Sequence, residues 1–193
     1  MEESTQLPND QPTTSPLKSS SHTEELVDHY WGTLNHVNSL IKSSELKAGL
    51  ILSFYGILLN FVYQSAEPVL ETGSGDPILY TLLGLWFIVT VISIFRSVQC
   101  FIPKIEGKFT PNVFFFRDVI TKFGDVKSFS KTFYEVSCDE KRLFEQLGEQ
   151  IFIISKIAAK KFKHVRWSIT LLGIGLVLLS LILLYAGFTT MIS

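Results

Sequence analysis

Between Ile169 and Phe188 run twenty residues without one charge. No other feature restricts the possible folds so much. A helix needs roughly 20 mostly apolar residues to cross the hydrocarbon core of a bilayer. In lipid it must also satisfy its own backbone hydrogen bonds. A second uncharged run, Ile78–Phe95, is opened by Asp76 as an N-cap and Pro77 at the first helical position. A third, Ala48–Gln64, is shorter and carries Asn60. Extended to Ala66 it is long enough to span; a buried soluble helix is its competing reading. Composition agrees: 47% of residues are hydrophobic and 18% charged, where soluble domains usually carry about a quarter. The expected fold is an all-α membrane protein with three transmembrane helices, 48–66, 78–95 and 169–188.

Orientation follows from Lys and Arg, which concentrate on the cytoplasmic side. The 67–77 loop holds Glu67, Glu71 and Asp76 and no basic residue, and the 189–193 tail holds no charge. All seventeen basic residues lie in segments that share the other side. Residues 1–47 and 96–168 are therefore expected in the cytoplasm, and the 67–77 loop and the C-terminal tail outside.

The cytoplasmic part reads as helical. Residues 1–22 are acidic, rich in Ser, Thr, Pro and Gln, and lack an apolar core. They read as a disordered tail rather than a signal peptide. Ser21 with Glu24 makes a capping-box pattern. Leu26, Tyr30, Leu34, Val37, Ile41, Ser44 and Ala48 then mark one helix face that runs without a break into the first span. Ser137 with Glu140 repeats the pattern. Leu143, Leu147, Ile151, Ile154, Ala158, Phe162, Val165 and Ile169 follow, so the expected helix reaches from Asp139 to Phe188. Between these stalks, Thr110 and Pro111 suggest the start of a helix that Gly124 ends near Phe123. A short helix then carries Val126, Phe129, Phe133 and Val136. Phe114, Phe115, Phe116, Phe123, Phe129 and Phe133 are expected to form a core clamping the stalks together, with a base-stacking or lipid-docking surface as the other reading.

Charge divides this part. Residues 96–168 carry fourteen basic and eight acidic side chains, whereas residues 1–47 carry three and seven. The basic excess suits attraction to anionic headgroups and equally an anion site for a phosphate-bearing ligand. Catalytic chemistry has no visible basis: there is no nucleophile arrangement, no Gly-rich phosphate loop and no metal-ligand spacing among His22, His29, His36 and His164. No cofactor, metal or nucleic-acid partner is implied. Cys100 and Cys138 read as reduced thiols. Within the spans, Gly49, Ser53, Gly56, Asn60 and Gln64 share a face of the first. Thr170, Gly173, Ser180 and Gly187 share one of the third. Both suit close helix packing or, for Asn60 and Gln64, a polar path.

The stretch Leu34–Gly49, LNHVNSLIKSSELKAG, precedes two spans and a Phe-rich middle. Then LFEQLGEQIFIISKIAAKKFKHVRWSI leads into the last span. This order, over about residues 26–188, resembles the transmembrane effectors of Pycsar, bacterial antiphage systems built on a pyrimidine cyclase. The family's first motif is closer to Ala-Asp-x-Lys-Ala; Ser44-Glu45-Leu46-Lys47-Ala48 keeps the acid and the lysine and loses Ala-Asp. The second motif is kept as Gln150, Ile154, Ile157, Ala158, Ala159, Lys161 and Phe162. The resemblance implies a non-enzymatic effector in the bacterial inner membrane, with a cytoplasmic N-terminus and a periplasmic C-terminus. It would sense cyclic CMP or cyclic UMP made by a partner cyclase during phage infection. As a homo-oligomer it would compromise the lipid bilayer and kill the cell. The expected ligand contacts are Glu45 and Lys47 from one motif and Lys156, Lys160, Lys161 and Arg166 from the other, with Phe162, or Phe116 beside Arg117, supplying a ring. A scaffolding membrane protein that recruits a partner through its stalks stays open as the alternative.

Overall fold

The computed structural model describes residues 16–72, 76–102 and 110–192. Every element among them is a helix: α1 (Pro16–Thr72), α2 (Pro77–Phe101), α3 (Phe116–Thr121), α4 (Val126–Cys138) and α5 (Glu140–Ile192). Three of these, α1, α2 and α5, are long and apolar enough to cross a membrane. The fold is thus an all-α membrane fold built on two long helices. With 57 and 53 residues, α1 and α5 are about 85 and 80 Å long at 1.5 Å per residue.

These two run parallel. Thr23, two turns into α1, donates to Glu140 in the first turn of α5 (3.1 Å), and Lys161 meets Glu45 farther along. In between, Leu34, Val37, Leu147, Ile154 and Ala158 form a closed apolar core, flanked by Tyr30, Ile41, Leu143, Phe144 and Ile151. The three- and four-residue spacing of these positions puts them on one stripe of each helix. α2 runs the opposite way, packed chiefly on α5 and also on α1. Its start follows the sequence closely: Asp76 accepts from the Ile78 amide at 2.9 Å, and Pro77 opens the helix. At that end the Tyr185 hydroxyl donates to Asp76, tying α5 to the cap of α2. In the span region, apolar burial supplies little drive because lipid is equally apolar. Packing and serine hydrogen bonds hold the bundle instead. Ser168 bonds Ser93 and Ser97 across α2 and α5, at 3.1 and 2.6 Å.

Several local expectations are corrected. α1 begins at Pro16, upstream of Ser21, so the Ser21/Glu24 pattern lies inside the helix and residues 16–22 are not tail; residues 1–15 lie outside the described residues. α5 is capped by Asp139, which accepts from the Arg142 amide at 3.1 Å, while Ser137 bonds back to the Phe133 carbonyl. Asp139 sits where the chain leaves α4, so its carboxylate reaches the free amides first. Thr110 caps nothing: its hydroxyl donates to Glu149, and α3 starts only at Phe116. Residues 110–115 form a turn. Gly124 adopts φ +73°, the left-handed conformation that suits glycine, and Asp125 caps α4 through the Ser128 amide at 2.6 Å.

The aromatic cluster is a chain of rings running from α1 into α4. Trp31, Phe114, Phe133, Phe129 and Phe123 follow one another at centroid separations of 5.7–6.2 Å. Phe114 packs on the stalk core, and Phe115 is buried. Phe116 is 80% exposed and stays outside the cluster.

Candidate functional site

Where the stalk meets the membrane, a charged group is buried among three helices. The side chain of Lys161 is 8% exposed. Its ammonium donates to Glu45 Oε1 of α1 and to the Cys100 carbonyl in the last turn of α2, both at 2.6 Å. That carbonyl has no intrahelical partner at a helix C-terminus, and a cation there complements the helix dipole. Ser44 and Cys100, both fully buried, lie alongside, with Cys100 Sγ 4.0 Å from Ser44 Oγ. Ala48 and Val165 close the cluster. Burying a lysine is costly unless it is paired and hydrogen-bonded; here both conditions are met.

The next face of α5 carries an open groove of about 670 Å³, lined by Ala159, Phe162, Lys163, Arg166, Trp167 and Thr170. Two cations and two rings alternate there at helical spacing. An anionic, flat ligand needs such a surface: a cation for the phosphate and a ring face for the base.

The structure thus sorts the expected ligand residues. Glu45 and Lys161 come together inside the bundle. Phe162 and Arg166 share the groove. Lys47 is exposed, two residues beyond Glu45 and so on another side of α1. Lys156 and Lys160, one turn apart on α5, are not among the described residues that line the groove. Arg117 belongs to the turn-and-helix unit anchored on α5 far from the groove. There, Asn112 donates to the Gln146 carbonyl at 2.7 Å, Val113 donates to Gln146 Oε1, and buried Asp118 accepts from the Asn112 amide. Glu149, the last anchor, is twelve residues from Lys161, about 18 Å along the helix. The structure does not join Arg117 or Phe116 to the other residues. Lys163 and Trp167 line the same groove and were not among the expected ligand contacts. Their signal was the repeat of ring and cation in Phe162-Lys163 and Arg166-Trp167, which sets the pairs four apart.

The small-residue faces also resolve. Gly49 faces the Phe101 ring, 3.9 Å from where a Cβ would sit. Ser53, Gly56, Asn60 and Gln64 point outward and are exposed, as are Thr170, Gly173, Ser180 and Gly187. On α5, the glycine that α2 packs against is Gly175, buried beside Val89, Thr90 and Trp86.

A model of the Pycsar effector protein domain matches residues 29–187. Among curated proteins, the Pycsar effector protein SaPycTM of Staphylococcus aureus is 26% identical over 148 residues, covering 76% of this chain and 88% of that protein. No solved structure matches. The family match takes in most of both long helices, the span between them, the Lys161–Glu45 pair and the groove, and the chain belongs to the family of Pycsar transmembrane effectors, which act in antiphage defence.

Proposed function

We propose that this membrane protein senses a cyclic pyrimidine nucleotide, cyclic CMP or cyclic UMP, in the cytoplasm and responds by compromising the inner membrane, so that the infected cell dies. The observation that carries the reading is the groove on α5. Arg166 and Lys163 offer charge to the cyclic phosphate, and Phe162 and Trp167 offer ring faces to the base. Lys161 and Glu45 serve beneath it as a positioning pair that links the groove-bearing helix to α1 and α2. Lys47, Lys156 and Lys160 add to the field that attracts an anion. The outward stripe of Ser53, Gly56, Asn60 and Gln64 provides contact between copies, because amide side chains facing lipid gain from a partner helix. Ligand entry at the cytoplasmic face requires the N-terminus inside and the C-terminus in the periplasm.

Calorimetry of the full chain in detergent tests this reading. Wild type should bind cyclic CMP or cyclic UMP and ignore cyclic AMP. Arg166→Ala and Phe162→Ala should each weaken binding by about 1–3 kcal/mol, the scale of a charge-assisted hydrogen bond or one stacked base. Binding unchanged in both variants, at normal membrane insertion, would leave these residues as headgroup anchors and remove the site. No heat with either pyrimidine nucleotide would favour the scaffolding alternative.

A further inference from the structure

The buried face of α2 is polar over half its length. Cys100, Ser97, Ser93, Thr90 and Trp86 follow at three- and four-residue intervals, all buried. From Cys100 to Trp86 this seam is about 21 Å long. It starts at the Lys161–Glu45 pair and ends near the middle of the 78–95 span. Its first part is satisfied by Ser168. Its second part is not: the Tyr55 hydroxyl, the Thr90 hydroxyl and the Trp86 indole N–H are buried without a hydrogen-bond partner among the described residues. Tyr55 lies close to Ser93 without a properly formed bond. Thr90 Oγ1 and Trp86 Nε1 converge on one place: each is 4.0 Å from the point where a Cβ on Gly175 would sit. Polar atoms buried in a membrane bundle without a partner carry a desolvation cost. Bridging water removes that cost where two to four polar partners surround it.

Beyond Trp86 the character changes. Leu79, Leu179 and Ile182 pack with Trp86, flanked by Leu58, Val62, Leu82, Leu83 and Leu178, and among the described residues no polar side chain is buried there before the half-buried Asp76 and Tyr185. Apolar constrictions of this kind close aqueous paths by excluding water.

We propose that each three-helix bundle contains a hydrated seam, open to water from the Lys161–Glu45 end as far as Trp86 and closed on the outer side by the Leu79–Leu179–Ile182 plug, and that opening the plug lets protons cross within a single protomer. This rests on the proposed membrane-compromising role and names its route: a chain of water and hydroxyl groups too narrow for larger solutes. Glu45, with its side chain 38% exposed, is the carboxylate at the inner mouth, and Asp76 the one at the outer.

The test uses the full chain in phosphatidylethanolamine–phosphatidylglycerol vesicles holding a pH-sensitive dye and calcein, with valinomycin and a potassium gradient driving protons inward. Leu179→Ser and Ile182→Ser should raise proton entry on the order of tenfold over wild type without any nucleotide. Adding Gly175→Ala and Thr90→Val should return it to the wild-type level while calcein stays inside throughout. At Gly175 the new methyl meets its neighbours at ordinary contact distances of 3.9–4.0 Å, so Gly175→Ala fills the seam without strain. Where the serine variants do not insert, Gly175→Ala in the otherwise wild-type chain takes their place. It should then suppress proton entry driven by cyclic CMP or cyclic UMP while nucleotide binding is kept. Inserted plug variants that conduct no more than wild type, conduction that survives filling of the seam, or calcein escaping with the protons would each overturn the proposal. Plug variants that conduct as expected, beside a wild type indifferent to both nucleotides, would support the seam and sink the sensing role instead.

Discussion

The Lys161–Glu45 contact couples two groups of unequal burial, 8% exposed for the lysine side chain and 38% for the glutamate. Removing one partner of a buried pair is costly because the other is left uncompensated. Here the cost falls unevenly. Glu45→Ala strands a buried ammonium, whereas Lys161→Met strands a carboxylate that water still reaches. Thermal unfolding in detergent should show a loss of about 2–3 kcal/mol for Glu45→Ala and about 1 kcal/mol for Lys161→Met; equal losses would mean that the lysine is hydrated. At the far end, the Tyr185 hydroxyl and then the Ile78 amide hold the Asp76 carboxyl below the usual aspartate range. A depressed folded-state pKa contributes stability that is full above the unfolded value, about 3.9, and is lost as pH falls through the lower folded value. Asp76→Asn keeps the cap and removes the titration. Melting temperature should therefore separate the two proteins at neutral pH and bring them together below about pH 4. A gap that stays constant with pH would show that the Asp76 contacts do not favour its charged form. Neither pair was fully legible beforehand: Glu45 and Lys161 were singled out for a ligand, and nothing in the sequence marks Tyr185 as the partner of Asp76.

At the level of elements, periodicity performed well where it was long. The stripes from Leu26 to Ala48 and from Leu143 to Ile169 predicted two stalks continuous with their spans, and α1 and α5 are unbroken through both. The cause is the 3.6-residue repeat sustained over six or more turns with no Gly–Pro interruption. Helix ends were less legible, because two capping candidates within three residues compete and tertiary geometry chooses. Asp139→Ala should lower stability by about 1 kcal/mol, and Ser137→Ala by clearly less, since Ser137 only bonds back into its own helix. Chemical denaturation in detergent measures both; the reverse order would restore the Ser137 cap. Thr110 has no helix to cap because the chain first turns, the Phe115 amide donating to the Asn112 carbonyl, and α3 starts only at Phe116. In the stalk core, Leu147→Ala should cost about 2–5 kcal/mol, as Leu147 is 1% exposed between α1 and α5.

For the whole molecule, the spans impose a topology and an outer surface. α1 and α5 run parallel and α2 runs the opposite way, so the starts of α1 and α5 share one side. A reporter active only outside the membrane should work when fused after Ser193 and fail when fused after Lys131; the opposite result would turn the groove away from any cytoplasmic ligand. The outward stripe on α1 predicts association. In a chain with Cys100 and Cys138 replaced by serine, Gly56→Cys should give disulfide-linked dimers in the membrane. Ile57→Cys, exposed one position away, should give fewer. Equal yields at both positions would mean random collision rather than a stripe-to-stripe contact.

The three membrane-crossing helices, the long stalks and the family were readable from the chain alone, because they depend on local quantities: twenty uncharged residues, a 3.6-residue repeat, and two motifs close to the bilayer edge. What faces what was not. Gly49, Ser53, Gly56, Asn60 and Gln64 share one face by spacing, yet only packing decides that Gly49 meets Phe101 while the other four look outward. Gly175, Thr90 and Trp86 carry no local mark, and only the approach of α2 to α5 brings them to one point. Helix formation is a property of each segment. The choice of buried face depends on the rotation of three helices about their axes, and that is decided by contacts between residues as far apart as Glu45 and Lys161.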